Sequence, residues 1–73
     1  MLLVIEMKDY RLILRQKRET LGLSQHALAK QAEITQPFLW EIENGRKTPS
    51  LEVFFRLCEV LDIKLFPDEE DAP

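Results

Sequence analysis

Apolar residues recur along this chain at helical spacing rather than in alternation. In residues 10–21, "YRLILRQKRETL", Tyr10, Leu14 and Leu21 recur at multiples near 3.6 with Ile13 beside them, which predicts a first helix. Gly22 is placed to cap its end. Ser24 is a candidate N-cap for a second helix, "QHALAKQA", whose apolar face is Leu28, Ala29 and Ala32. Only "EI" separates it from Thr35, which caps a third helix ending at Asn44–Gly45. Pro37 falls in the first turn of that helix, where a missing N–H costs little. A fourth helix is predicted from about Ser50 to Leu61, with Leu51, Phe54, Phe55, Cys58 and Leu61 as its core stripe. Leu28, Phe54, Phe55 and Leu61 are the strongest core candidates. "IKLFP" then alternates apolar and polar up to Pro67 and reads as a short strand or a last helical turn. Two short helices joined as tightly as the second and third must cross steeply, the geometry of a helix-turn-helix.

The third helix has two unlike faces. With Leu39 and Ile42 turned to the core, Pro37, Trp40, Glu41 and Asn44 point outward at 100° per residue. Gln36 lies at the flank and Phe38 at the edge of the buried stripe. Amides, an acid and apolar groups on one outward surface suit the base edges of a DNA major groove. Gln can pair with adenine through two bonds, an apolar group can meet the thymine methyl, and Glu can accept from cytosine.

Composition narrows the alternatives. The 73 residues suffice for one domain, and a core of that size is marginal alone, so a partner subunit would help. Cys58 is the single cysteine and His26 the single histidine. Disulfides, metal sites and His-based catalysis lack the necessary residues, so the sequence points to no enzyme, no catalytic residue, no metal and no cofactor. "LLVI" near the start is far too short to span a bilayer, and a cytoplasmic protein with no membrane partner is expected. The formal charge of −3 argues against nucleic acid until its placement is considered. Removing the four acids of residues 68–71, "DEED", leaves +1, and "RLILRQKR" and "GRK" concentrate the cations.

These marks resemble a known family. Leu14, Arg15 and Arg18 form L-R-x-x-R, "GLSQ" spans 22–25, and "LA" spans 28–29. Ile42, Glu43, Asn44 and Gly45 close the third helix, and "PSLE" spans 49–52. From residue 14 to residue 63, without a gap, the chain resembles the Cro/CI repressor (Xre-type) helix-turn-helix domain. The resemblance implies a lambda repressor-like fold of five helices, a homodimer and a recognition helix at residues 35–44. It matches Gln25 and Gln36 to base- or phosphate-contacting amides. It matches Ser24, Asn44, Arg46 and Lys47 to a flank that grips the DNA backbone, and Arg18 with Glu43 to a structural ion pair. The chain departs from the family at Glu33, where the turn usually has Gly, and at Lys17, usually apolar. It departs again at Pro37 and Trp40, groove-facing positions often held by small polar residues. Separately, "LEVFFRLCEVLDIKLFPDE" resembles the closing segment of HipB-type antitoxins, in which a strand after helix 4 pairs across the dimer.

Several residues have two readings. Trp40 either stacks on sugar or a thymine methyl, or is half-covered by the N-terminal segment. Cys58 is a small buried hydrophobe or a redox switch, and His26 a solvated residue or a phosphate contact. "LLVI" covers the core edge, pairs across the dimer, or is dispensable if Met7 is the true start.

The expected fold class is all-α, with four to five short helices and short terminal β-strands at the dimer interface as an option. Residues 1–9 form an N-terminal segment, 10–66 the helix-turn-helix domain, and 67–73 an acidic tail expected to be disordered. The expected function is a DNA-binding regulator that represses as a homodimer. Its candidate contacts with double-stranded DNA are Ser24, Gln25, Thr35, Gln36, Pro37, Phe38, Trp40, Glu41, Asn44, Arg46 and Lys47. The alternative is an antitoxin that holds a cognate toxin and represses its own operon.

Overall fold

The computed structural model describes residues 10–64. They form α1 (Tyr10–Thr20), α2 (Gln25–Gln31), α3 (Gln36–Glu43) and α4 (Leu51–Val60), and no strand occurs among the described residues. The fold is all-α. The strand expected at "LLVI", the end of "IKLF" and the acidic tail lie outside the described residues.

Each junction follows from local chemistry. The hydroxyls of Ser24, Thr35 and Ser50 accept from the backbone N–H groups of Ala27, Phe38 and Val53, at 3.0, 3.2 and 3.2 Å. Each such cap contributes about 1 kcal/mol by satisfying a donor the helix leaves open. All four helices end alike. The residue after the cap turns left-handed, and two backbone N–H groups fold back onto the last turn, the Schellman arrangement. In α3 the N–H of Gly45 donates to the Ile42 carbonyl at 3.1 Å, and that of Arg46 to the Glu41 carbonyl at 2.8 Å. Gly45 has φ +74°, which costs glycine nothing. In α2 the same place is held by Glu33 at φ 62°, with Ile34 donating to the Ala29 carbonyl at 2.9 Å. The turn between α2 and α3 thus keeps its left-handed step without glycine. Asp62, at φ 57°, does the same after α4.

The core forms where the helices meet. α3 packs on α2 and on α1, while α4 packs on α2. Leu14, Leu28, Ala29, Ala32, Leu39, Ile42, Leu57 and Leu61 make one buried cluster. The apolar face expected of α2 is buried in full, and Leu39 and Ile42 of α3 are inaccessible to solvent.

Two core expectations are corrected. On α4, Leu51 is 68% exposed and Phe55 43%, whereas Leu57 is fully buried. The helix is apolar on nearly every side, "LEVFFRLCEV", so spacing alone admits more than one stripe. The side that meets α2 is the one through Phe54, Leu57, Cys58 and Leu61. On α1, Leu14 is buried, but Ile13 and Leu21 are exposed. Tyr10 instead packs edge-on against Phe54, with ring centroids 5.7 Å apart. That contact ties the first turn of α1 to α4.

Candidate nucleic-acid interface

Burial of Leu39 and Ile42 fixes the rotation of α3. Its opposite side therefore faces solvent. Pro37, Trp40 and Asn44 are exposed there, with Gln36 exposed at the flank and Glu41 half-buried. Phe38 lies on the other flank, half-buried against the core. Thr35 and Ser24 stand at the N-termini of α3 and α2, their hydroxyls engaged as caps.

A chain of side-chain bonds orders the start of this face. The Gln36 amide donates from Nε2 to Gln25 Oε1 at 2.9 Å, and Gln25 Nε2 donates to Glu43 Oε1 at 3.0 Å. Glu43 also accepts from Arg18 through both oxygens, from Nε at 2.8 Å and from Nη2 at 3.0 Å. Arg18 Nη1 donates to the Leu23 carbonyl at 2.9 Å. The carboxylate can only accept, so Gln25 must turn its nitrogen toward Glu43 and its oxygen toward Gln36. The orientation of the exposed amide is thus set from the interior. The hydrogen bond to Glu43, and after it the charges of Glu43 and Glu19, raise the Arg18 pKa against the opposing effect of burial. Arg18 is a permanent cation.

The far end of the face is basic and folded back on itself. Asn44 Nδ2 donates to the Trp40 carbonyl at 2.8 Å, closing the helix. The Arg46 guanidinium lies over the Trp40 ring, 5.8 Å from its centroid, a cation–π contact. Lys47 Nζ stands 3.5 Å from Glu41 Oε1. Arg11 reaches across from α1 to Gly45, whose missing Cβ leaves room for the guanidinium.

α3 is thus a short helix set across a tight turn from α2, with one side exposed and cations gathered at its end. The sequence profile of the helix-turn-helix family matches residues 14–66. The chain belongs to the helix-turn-helix family, of the Cro/CI (Xre) type. It is 35% identical over 51 residues to a protein of Methanothermobacter thermautotrophicus named "Uncharacterized HTH-type transcriptional regulator". That match spans 70% of this chain and 74% of the relative. No solved structure gave a significant match. Members of this family are DNA-binding transcription regulators, and this chain is one. Among the described residues no helix is long and apolar enough to cross a membrane.

Within this helix-turn-helix, Gln25, Gln36, Arg18 and Glu43 come together in one network, and Trp40, Glu41, Arg46 and Lys47 in another. Ser24 stands apart from both. Sequence reasoning missed Arg11 and the two contacts between α3 and its loop. Trp40–Arg46 and Glu41–Lys47 are each six residues apart, a spacing that neither a helix nor a strand brings together. Only the left-handed step at Gly45 returns the chain far enough. The signal available was the glycine itself, with cations following it.

Proposed function

We propose that this chain is a sequence-specific repressor that binds a two-fold operator as a homodimer, with α3 in the major groove. The observation that carries the reading is the bond chain from Arg18 through Glu43 and Gln25 to Gln36. It delivers an amide to the start of the groove-facing side in one fixed orientation. Gln36 uses one amide hydrogen on Gln25 and keeps its oxygen and its second hydrogen. Those two groups are what adenine requires, an acceptor for its exocyclic amine and a donor for N7. Pro37, Trp40 and Glu41 face the neighbouring base edges. Arg46 and Lys47, with Ser24, Thr35 and Asn44 at the helix ends, face the phosphates and set the register of the helix.

Charge placement supports the same partner. Residues 10–64 carry nine Lys and Arg against seven Asp and Glu. Glu43 is internally paired and Glu41 lies beside Lys47, so the acids of α3 do not meet the phosphates unscreened. Dimerisation is supported by the small core and by exposed Leu12, Ile13, Leu51 and Phe55, more large apolar groups than a lone domain of this size gains from exposing. Repression follows from occupying a promoter.

Selection of bound sites from random duplex DNA tests the reading. The expected result is a pair of inverted half-sites about one helical turn apart, roughly 34 Å, with sedimentation showing a dimer at tens of micromolar. A pool with nothing enriched, or a monomer both free and on DNA, overturns it.

A second reading, an antitoxin that also represses its own operon, shares this DNA-binding face. The exposed Leu51 and Phe55 favour it as a site for a protein partner. A toxin encoded next to this chain, and bound by it, would separate the two.

A further inference from the structure

We propose that Trp40, with Pro37 one turn before it, reads the 5-methyl group of pyrimidines in the major groove. The inference rests on the regulator reading above and names the chemistry its recognition helix selects.

Three observations carry it. Trp40 is 43% exposed on the outward side of α3, although it is the largest apolar side chain of the helix. Pro37, three residues earlier, is exposed on the same side. One side of the ring also has a partner: the Arg46 guanidinium lies over it from the loop, 5.8 Å from its centroid. The backbone beneath it is closed by Asn44, whose N–H and side-chain amide both donate to the Trp40 carbonyl, at 2.9 and 2.8 Å. Two exposed apolar side chains on one outward side of α3 complement a ligand group with apolar character. The major-groove edges of the base pairs offer one such group, the C5-methyl, which thymine carries and cytosine lacks.

The polar neighbours sharpen the assignment. Trp40 offers a single N–H donor and Pro37 has neither a side-chain polar group nor a backbone N–H. Together they present a surface that has almost nothing to give a base amine. Glu41, the nearest acceptor, is held beside Lys47. Burying one methyl against this surface corresponds to about a fourfold gain in affinity. The Arg46 guanidinium over the ring has N–H donors to offer a phosphate, so that methyl contact and backbone contact would come from neighbouring groups.

The test uses the full chain and its selected operator at one fixed salt concentration. Each thymine in turn is replaced by deoxyuridine, which keeps base pairing and removes only the methyl. We expect one or two positions per half-site to lose three- to fivefold in affinity. Trp40→Ala should abolish that penalty and Gln36→Ala should retain it. Trp40 is exposed, and an unchanged melting temperature would establish that the variant folds. Because the deoxyuridine series alters only the DNA, it stands without any variant.

A second arm starts from the deoxyuridine operator and places 5-methylcytosine, correctly paired with guanine, at the sensitive position. Recovery relative to unmethylated cytosine there means that any pyrimidine methyl is read. No recovery confines the reading to thymine. Tolerance of deoxyuridine everywhere, or an equal penalty in the Trp40→Ala protein, overturns the inference while leaving the regulator reading intact. A chain that selects no sequence overturns both.

Discussion

Arg18 on α1 and Glu43 on α3 lie 25 residues apart in sequence and meet through two parallel hydrogen bonds of 2.8 and 3.0 Å. Their side chains are only 11% and 2% exposed. The pair ties α1 to α3, so it restrains the tilt of α3 against the body of the domain. It also positions Gln25, whose Nε2 donates to Glu43 Oε1 at 3.0 Å. The docking of α3 and the orientation of the Gln25 and Gln36 amides therefore depend on the same carboxylate.

Breaking this pair from one side should be costly, because the largely covered Arg18 guanidinium then keeps its charge without its partner. Glu43→Ala is expected to destabilise by about 3 kcal/mol, a large share of what a domain this small possesses. Replacing both residues together, Arg18→Met with Glu43→Leu, should cost much less, since neither charge is then stranded. Urea unfolding of Arg18→Met, of Glu43→Leu and of the double variant gives the coupling. Additive costs would mean that the pair contributes nothing as a pair. The double variant should still bind operator more weakly than the original chain, because Gln25 loses its anchor.

Much of this arrangement was legible in the sequence, and the failures have a common cause. α2 was readable because Gln25, His26, Lys30 and Gln31 leave one apolar face, and α3 because Ile42 lies between Glu41 and Glu43 with Leu39 one turn before it. Leu28, Ala29 and Ala32, or Leu39 and Ile42, can face only one way. α4 was misread because its apolar residues nearly surround it. Nothing local distinguishes a stripe through Leu51 and Phe55 from one through Leu57, and the choice is made by contact with α2. Ile13 and Leu21 failed for the same reason, since apolar identity says nothing of whether a neighbour arrives. In the site, the spacing of α3 separated its outward side from its buried one. The contacts of Arg46 and Lys47 depend on the reversal at Gly45, and that of Arg11 on the packing of α1 against α3. These are tertiary facts with no periodic trace.

The left-handed turn between α2 and α3 offers a stabilising substitution. Glu33 adopts φ 62°, where a Cβ crowds the following carbonyl at a cost of roughly 1–2 kcal/mol. Glu33→Gly removes that cost and adds some freedom to the unfolded chain. The net gain should be about 0.5–1 kcal/mol, seen as a rise of a few degrees in Tm. Asp62→Gly should gain less, because aspartate tolerates this region better. A fall in Tm for Glu33→Gly would show that its side chain contributes more than its backbone costs.

Burial lifts the Cys58 pKa above its ordinary value, so the folded state favours the neutral thiol. The sign follows directly. The unfolded thiol ionises near about pH 8.5, and the folded one only at higher pH. The contribution to stability is complete below the lower value and is lost as pH rises through the higher one. Cys58→Ala should lower stability at pH 7 by leaving a small void, yet lose less than the original chain between pH 7 and pH 10. Urea midpoints at both values decide it. Parallel declines in the two proteins would remove Cys58 as the source.

Gln36 is the residue whose loss should change what is read rather than how tightly the chain holds DNA. Gln36→Ala is expected to lose about 1–3 kcal/mol on the selected operator and almost nothing on random sequence. Competition binding against both DNAs at one salt concentration measures the difference. Equal losses on the two would assign Gln36 to the backbone instead.

Lys47 and Glu41 predict an asymmetry between the two loop cations. Arg46→Ala removes one phosphate contact and should flatten the salt dependence of binding by about one unit. Lys47→Ala does the same but also uncovers the Glu41 carboxylate, which now stands 3.5 Å from the ammonium. An unscreened anion on the groove-facing side repels the phosphates, so Lys47→Ala should weaken binding to every sequence more than Arg46→Ala does. Glu41→Gln reverses the argument. It removes the anion and frees Lys47 to swing toward the backbone, and non-specific affinity should rise above that of the original chain. In the double variant Lys47→Ala with Glu41→Gln, the extra loss seen for Lys47→Ala alone should disappear. Binding isotherms on random duplex DNA across a salt series give all four slopes and intercepts. If Glu41→Gln leaves non-specific binding unchanged, Glu41 lies outside the reach of the phosphates and its ion pair is a feature of the loop alone.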